Sequence, residues 1–173
     1  MFKNNMRKAL LLFLILLTVT TAAGAKEEGA LQPSDSLVAF IKDMEGFSEY
    51  PYWDHSQWTI GYGTSCKEGE YPNGITREEA EKKLMLEIES IELRLDGFLL
   101  KNDIVLNQNQ YDALVSFTFN VGFNWTTGCK LQSYLVSGLE NYTTNEIASA
   151  FGIWCHAGDE LDIDKNQIGR AHV

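Results

Sequence analysis

Basic residues are scarce in this 173-residue chain: 14 Lys and Arg stand against 24 Asp and Glu, a formal net charge of −10. That balance excludes nucleic-acid binding through phosphate neutralisation, which needs a clustered basic surface. Cysteine and histidine are scarcer still. Cys66, Cys129 and Cys155 include no closely spaced pair of the zinc-site kind, and His55, His156 and His172 are scattered, so no metal is expected. Long hydrophobic runs are missing too. The apolar stretch Ala9–Val19 has 11 residues, short of the roughly 20 that span a bilayer. There is no internal repeat and no low-complexity segment.

What is there begins with that short apolar run. Lys3, Arg7 and Lys8 precede it, and Ala23-Gly24-Ala25 follows it before the charged Lys26-Glu27-Glu28. This is the layout of a secretory signal peptide over residues 1–25, with cleavage near Ala25. A signal anchor that holds the chain to a membrane before release is the alternative. Processing would leave 11 basic against 24 acidic residues, a net charge of −13. The processed chain is expected to be secreted or extracytoplasmic, with no stable membrane association, and its acidity to serve solubility. Three cysteines in an exported chain allow one bridge and one thiol.

Residues 26–34 read as a leader and 35–173 as one domain. Ser34 or Asp35 can cap a helix with apolar positions Leu37, Phe40, Ile41 and Met44, which Gly46 can terminate. Alternation from Tyr52 to Thr64 predicts a hairpin, placing 35–75 in a β-containing lobe. The box Thr76-x-x-Glu79 opens a long helix with Ala80, Leu84, Ile88, Ile91 and Leu95 on one face, and Gly97 marks its stop. Residues 98–173 then hold further helices, one capped by Asn107, one near 130–136 and one opened by the box Thr143-x-x-Glu146. The pattern is that of an α+β protein.

The chemistry concentrates between Glu45 and Thr64. Glu45 ends an apolar helical run, Asp54 follows nine residues later beside a polar turn, and Thr59 lies on the next strand. Two carboxyls with a group able to hold water are what acid/base cleavage of a glycosidic bond requires. Spacing alone does not bring them together.

Glu45-x8-Asp54 followed by Thr59-Ile60-Gly61-Tyr62-Gly63 resembles the catalytic signature of the phage-type lysozymes, endolysin muramidases that cut bacterial peptidoglycan. Gln110–Gly122 is similar to that family's buried core helix, and Phe151-Gly152-Ile153-Trp154 with Ala157-Gly158 to its later Phe-x-x-Trp-x-x-Ala-Gly block. The likeness covers about residues 35–172 in one order. It implies a lysozyme-like fold in which a small lobe with a β-hairpin is joined by a long helix to a larger helical lobe. The implied activity is hydrolysis of the MurNAc–GlcNAc β-1,4 bond with inversion, by a monomer, on bacterial peptidoglycan, without a cofactor. Glu45 would be the general acid, Asp54 the second carboxylate and Thr59 the water holder. Tyr52, Trp53, Trp58 and Tyr62 can stack on sugars, although alternation sends them to both sides of the hairpin, so some must be packing residues. Gly61 and Gly63 allow backbone to approach a sugar or a neighbouring strand closely, and the resemblance implies that Arg170 pairs with the acid. Only four residues separate Asp54 from Thr59, where the family more often has five. A lytic transglycosylase and a non-catalytic wall-binding module are the alternatives. Cys129 and Cys155 both fall in the part resembling the helical lobe, and a bridge between them is expected. The resemblance also implies a further helix after Ala171, without which Tyr111, Phe117 or Trp154 would be uncovered.

Overall fold

Ser34 does the work its position predicts. Its hydroxyl accepts the Leu37 N–H and so caps helix α1, Asp35–Glu45, which buries Leu37 and Ile41 and ends at Gly46. The computed structural model describes residues 31–54 and 57–156. The segment expected to be a signal peptide, most of the expected leader, the block Ala157-Gly158, Arg170 and the expected C-terminal helix lie outside the described residues.

The hairpin is a three-stranded antiparallel sheet in the order β1-β2-β3: β1 Ser48–Asp54, β2 Gln57–Gly61 and β3 Thr64–Cys66. Tyr52 pairs with Thr59, Trp53 with Trp58 and Asp54 with Gln57, and the register shifts between Ser48 and Tyr52. Pro51 lies in that irregular stretch, where its missing N–H costs no ladder bond. Gly74 closes the connection to the next helix: the Ile75 N–H donates to Glu49 O at 2.9 Å.

Helix α2, Arg77–Lys101, opens with the Thr76/Glu79 capping box and spans 25 residues, about 37 Å at 1.5 Å per residue. Gly97 does not stop it. The glycine costs the helix about 1 kcal/mol relative to alanine, but Leu95 and Leu99 on either side are buried and carry the core stripe onward. The helix ends at Asn102, and Asp103 takes the left-handed turn at φ 53°. The connecting segment is therefore 77–101 rather than 76–97.

Helices α3 (Gln108–Val121, capped by Asn107), α4 (Lys130–Ser137) and α5 (Thr144–Gly152, capped by Thr143) follow the sequence pattern closely. They pack around Trp125, which is fully buried, donates from its indole N–H to Thr118 Oγ1 at 3.0 Å and meets the Phe98 ring edge-on at 5.4 Å. Tyr111 and Phe117 are buried, against the expectation that they stand uncovered. Tyr111 lies in the core and donates to Asp96 of α2, while Phe117 is closed in by the rings of Trp125 and Phe151. The helix bearing Glu45 is tied to this lobe, because the Ser34 N–H and hydroxyl both donate to Asp112, at 3.1 and 2.6 Å. Among the described residues, no helix is long and apolar enough to cross a membrane.

Candidate active site

Glu45 is delivered to the sheet by the end of α1. Gly46 terminates the helix at φ 69°, its N–H bonded to Lys42 O, and the chain turns at once into β1. The Glu45 carboxyl rests on Gly63, in the loop between β2 and β3. A Cβ added at Gly63 would stand 2.9 Å from Glu45 Oε2, and the residue has φ 81°. Only glycine permits both that backbone and that approach.

The Glu45 carboxyl is half-buried, and its pKa is raised to about 7. Burial is the largest cause, followed by the negative charges of Asp54 and Glu87. Among the described residues, Lys42 and Arg77 are engaged elsewhere. Lys42 pairs with Glu81 at 2.8 Å and lies over the Tyr62 ring, and the Arg77 guanidinium lies 4.4 Å over Phe47. Such a carboxyl is still partly protonated near neutral pH.

Directly opposed residues of an antiparallel pair share a face of the sheet, and successive pairs alternate. Tyr52, Thr59 and Asp54 therefore point to one side. Tyr52 confirms the grouping, since its hydroxyl is held above the usual tyrosine range by burial and then by Asp54 and Glu45. Thr59 is only 2% exposed, and its Oγ1 has no hydrogen-bond partner. A buried hydroxyl left open is costly and is the natural anchor for a water or a substrate oxygen.

Three expected substrate contacts are placed differently. Trp58 pairs with Trp53, edge to face at 5.8 Å, on the opposite face of the sheet from Asp54 and Thr59. Tyr62 is 6% exposed, packed on Phe47 at 5.6 Å with its hydroxyl accepting from Arg77. It is a core residue, because the loop carrying it folds back over α1. Gly61 meets α2: a Cβ there would stand 2.8 Å from Ala80 Cβ, so its bareness serves strand-to-helix packing rather than a glycan. Gly63 supports the acid. Cys129 is a free thiol, and the side chain of Cys155, its expected bridge partner, lies outside what the structure describes. Its sulfur caps α4, accepting from the Gln132 N–H and donating to Trp125 O at 2.9 Å, which directs it into its own turn.

Glu87 is the site residue that the sequence pattern does not single out. Glu87 lies on the sheet-facing side of α2, half-buried beside Leu84 and Ile88, and burial holds its carboxyl above the usual range. A charged residue between two core positions of an amphipathic helix is the one signal that could have marked it. No three His, Cys, Asp or Glu side chains among the described residues are arranged to hold a metal ion. A separate groove of about 640 Å³ between the 103–106 loop and α4–α5 is lined by Asp103 and Glu140 but by none of Glu45, Asp54, Thr59 and Glu87.

Comparison with known proteins shows similarity over most of the chain. Residues 42–165 match the phage lysozyme family. The endolysin of Bacillus phage PZA is 30% identical over 134 residues, 76% of this chain and 49% of the relative. The endolysin of Salmonella phage P22 is 35% identical over 138 residues, 77% of this chain and 90% of the relative. The chain thus spans about half the length of the PZA relative and nearly all of the P22 one. The muramidase domain of SpmX from Asticaccaulis excentricus superposes with a TM-score of 0.59 at 28% identity, covering 72% of this chain and 80% of that one. The endolysin from Escherichia coli O157:H7 phage FAHEc1 gives 0.52 at 25% identity, covering 75% and 94%. With the family matched over most of its length and the α+β architecture shared with two solved relatives, this chain belongs to the phage lysozyme family.

Proposed function

We propose that the chain is a peptidoglycan hydrolase, a muramidase that cleaves the β-1,4 bond between N-acetylmuramic acid and N-acetylglucosamine. The observation that carries this reading is Glu45: a half-buried carboxyl with pKa about 7, seated on a glycine and facing a second carboxyl, Asp54. The protonated Glu45 gives its proton to the glycosidic oxygen as the bond breaks. Asp54 activates a water on the other side of the sugar, and the open Thr59 hydroxyl orients it. An inverting outcome follows from water attack when the two carboxyls stand about 6.5–9.5 Å apart. No step calls for a cofactor.

The N-terminal pattern supports export as part of this proposal, since the substrate lies outside the cytoplasm. The test is digestion of purified peptidoglycan followed by mass spectrometry and by NMR of the first-formed anomer. Hydrolysed fragments ending in reducing N-acetylmuramic acid of the α-anomer are expected. Anhydro-sugar ends would make the protein a lytic transglycosylase, and binding without cleavage would make it a wall-binding module. Either result overturns the proposal.

A further inference from the structure

Of the four aromatic side chains suited to meet a sugar, the fold leaves one beside the acid. Tyr62 is packed on Phe47, with its hydroxyl engaged by Arg77. Trp53 and Trp58 meet each other on the far face of the sheet. Tyr52 pairs with Thr59 and stands two residues before Asp54, so alternation sets its ring on the face that carries both. Tyr52 is 40% exposed while Thr59 across from it is sealed, so the ring is the part of this face that a ligand meets first.

The hydroxyl of Tyr52 lies where both carboxyls act on it. Burial and the charges of Asp54 and Glu45 hold it above the usual tyrosine range, so it remains a neutral O–H donor throughout the neutral range. The other polar groups here have tasks in the proposed chemistry. Glu45 gives its proton to the glycosidic oxygen, ionised Asp54 only accepts hydrogen bonds, and the Thr59 hydroxyl is given over to the water. Gln57 shares the face but stands opposite Asp54 at the exposed start of β2. Lys42 is paired with Glu81, and Arg77 lies over Phe47. Tyr52 supplies what these groups do not: a flat apolar ring for the C–H face of a sugar and a donor at its tip.

We infer that Tyr52 is a substrate-binding residue of the cleavage site, its ring stacked on the sugar between Glu45 and Asp54 and its hydroxyl donating to an oxygen of that sugar. The inference rests on the proposed glycan cleavage and adds the group that grips the sugar. Tyrosine is needed rather than phenylalanine. Stacking sets the plane of a sugar but not its rotation in that plane, and one hydrogen bond at the ring's edge sets the rotation too.

Calorimetry with soluble peptidoglycan tetrasaccharide reads binding in the Glu45→Gln protein, where cleavage is blocked. Adding Tyr52→Phe should weaken binding by about three- to tenfold, the worth of one neutral hydrogen bond. Adding Tyr52→Ala should weaken it on the order of 100-fold, because the ring contact goes as well. In the otherwise native protein, Tyr52→Phe should raise KM for the same substrate by the smaller factor, with kcat, melting temperature and the alkaline limb of the pH–activity profile unmoved. Tyr50→Phe is the control, since its ring lies beside Gly74, and it should match the parent throughout. Unchanged binding and KM in the Tyr52→Phe proteins would overturn the inference and leave the proposed cleavage standing. A shifted pH limb at unchanged KM would overturn it too, since Tyr52 would then act through Glu45. Binding that depends on Tyr52 without any cleavage by the native protein would keep the inference and overturn the proposed activity. Neither binding nor cleavage would overturn both.

Discussion

Gly63 and Glu45 are in direct contact, backbone against carboxyl: the space in which a Gly63 Cβ would stand is 2.9 Å from Glu45 Oε2. Gly63→Ala should therefore cost both backbone strain, about 1–2 kcal/mol for a left-handed residue, and the acid's position. A small misplacement of a catalytic group can cost about 10²-fold in rate. Gly69→Ala is the control, since Gly69 has φ 73° and nothing within 4 Å of its added Cβ. Both variants should melt lower, while only Gly63→Ala should lose wall-lytic activity.

Glu45 makes activity and stability oppose each other. Its pKa rises from 4.5 to about 7 on folding, so between those pH values the folded state binds more protons than the unfolded chain. Stability must fall as pH climbs through that window, and the full loss above it is about 3 kcal/mol at 1.36 kcal/mol per unit. Glu45→Gln should abolish cleavage and flatten this decline. Melting temperatures of both proteins at pH 5 and pH 8 will show it: the variant should gain on the parent at the higher pH only.

Glu87 contributes one of the charges that hold the Glu45 proton. In Glu87→Gln that charge is gone, and the Glu45 pKa should fall toward the ordinary carboxyl range. The alkaline limb of the pH–activity profile should move to lower pH, with activity retained at the new optimum. An unmoved limb would show that Glu87 acts only in packing.

Thr59→Val separates function from stability in the other direction. The Oγ1 that valine removes is buried and unpartnered, so the fold should lose nothing and can gain. Cleavage should drop because the water loses its anchor. Denaturant titration with a turnover assay tests both halves.

Asp54 and Glu49 compete for the role of second carboxylate, and the sheet distinguishes them. Asp54 shares a face with Thr59 and acts on Glu45, whereas the Glu49 side chain is exposed near the start of β1. Asp54→Ala should remove most activity and Glu49→Ala little. The reverse ranking in a turbidity assay would place the acid pair elsewhere.

Local sequence determined the elements. Thr76 with Glu79, Asn107 with Gln110 and Thr143 with Glu146 cap the helices that their spacing predicts, because each satisfies backbone donors within three residues. The signature from Glu45 to Thr59 likewise marks, from adjacent chain, the residues proposed as acid, second carboxylate and water holder. What needed the tertiary structure were the contacts between elements distant in sequence. Gly61 and Gly63 look alike in the strand pattern, yet one meets Ala80 and the other Glu45, which depends on where α2 and α1 pack. Tyr62 and Trp58 are equally aromatic, but the loop buries the first and strand alternation turns the second away from Asp54. Gly97 reads as a stop signal until burial of Leu95 and Leu99 outweighs its local cost. Glu87 lies 42 residues beyond Glu45, and only the packing of α2 on the sheet brings its charge to the acid. Burial and long-range electrostatics set the proton affinity of Glu45, and neither is a property of its neighbours along the chain.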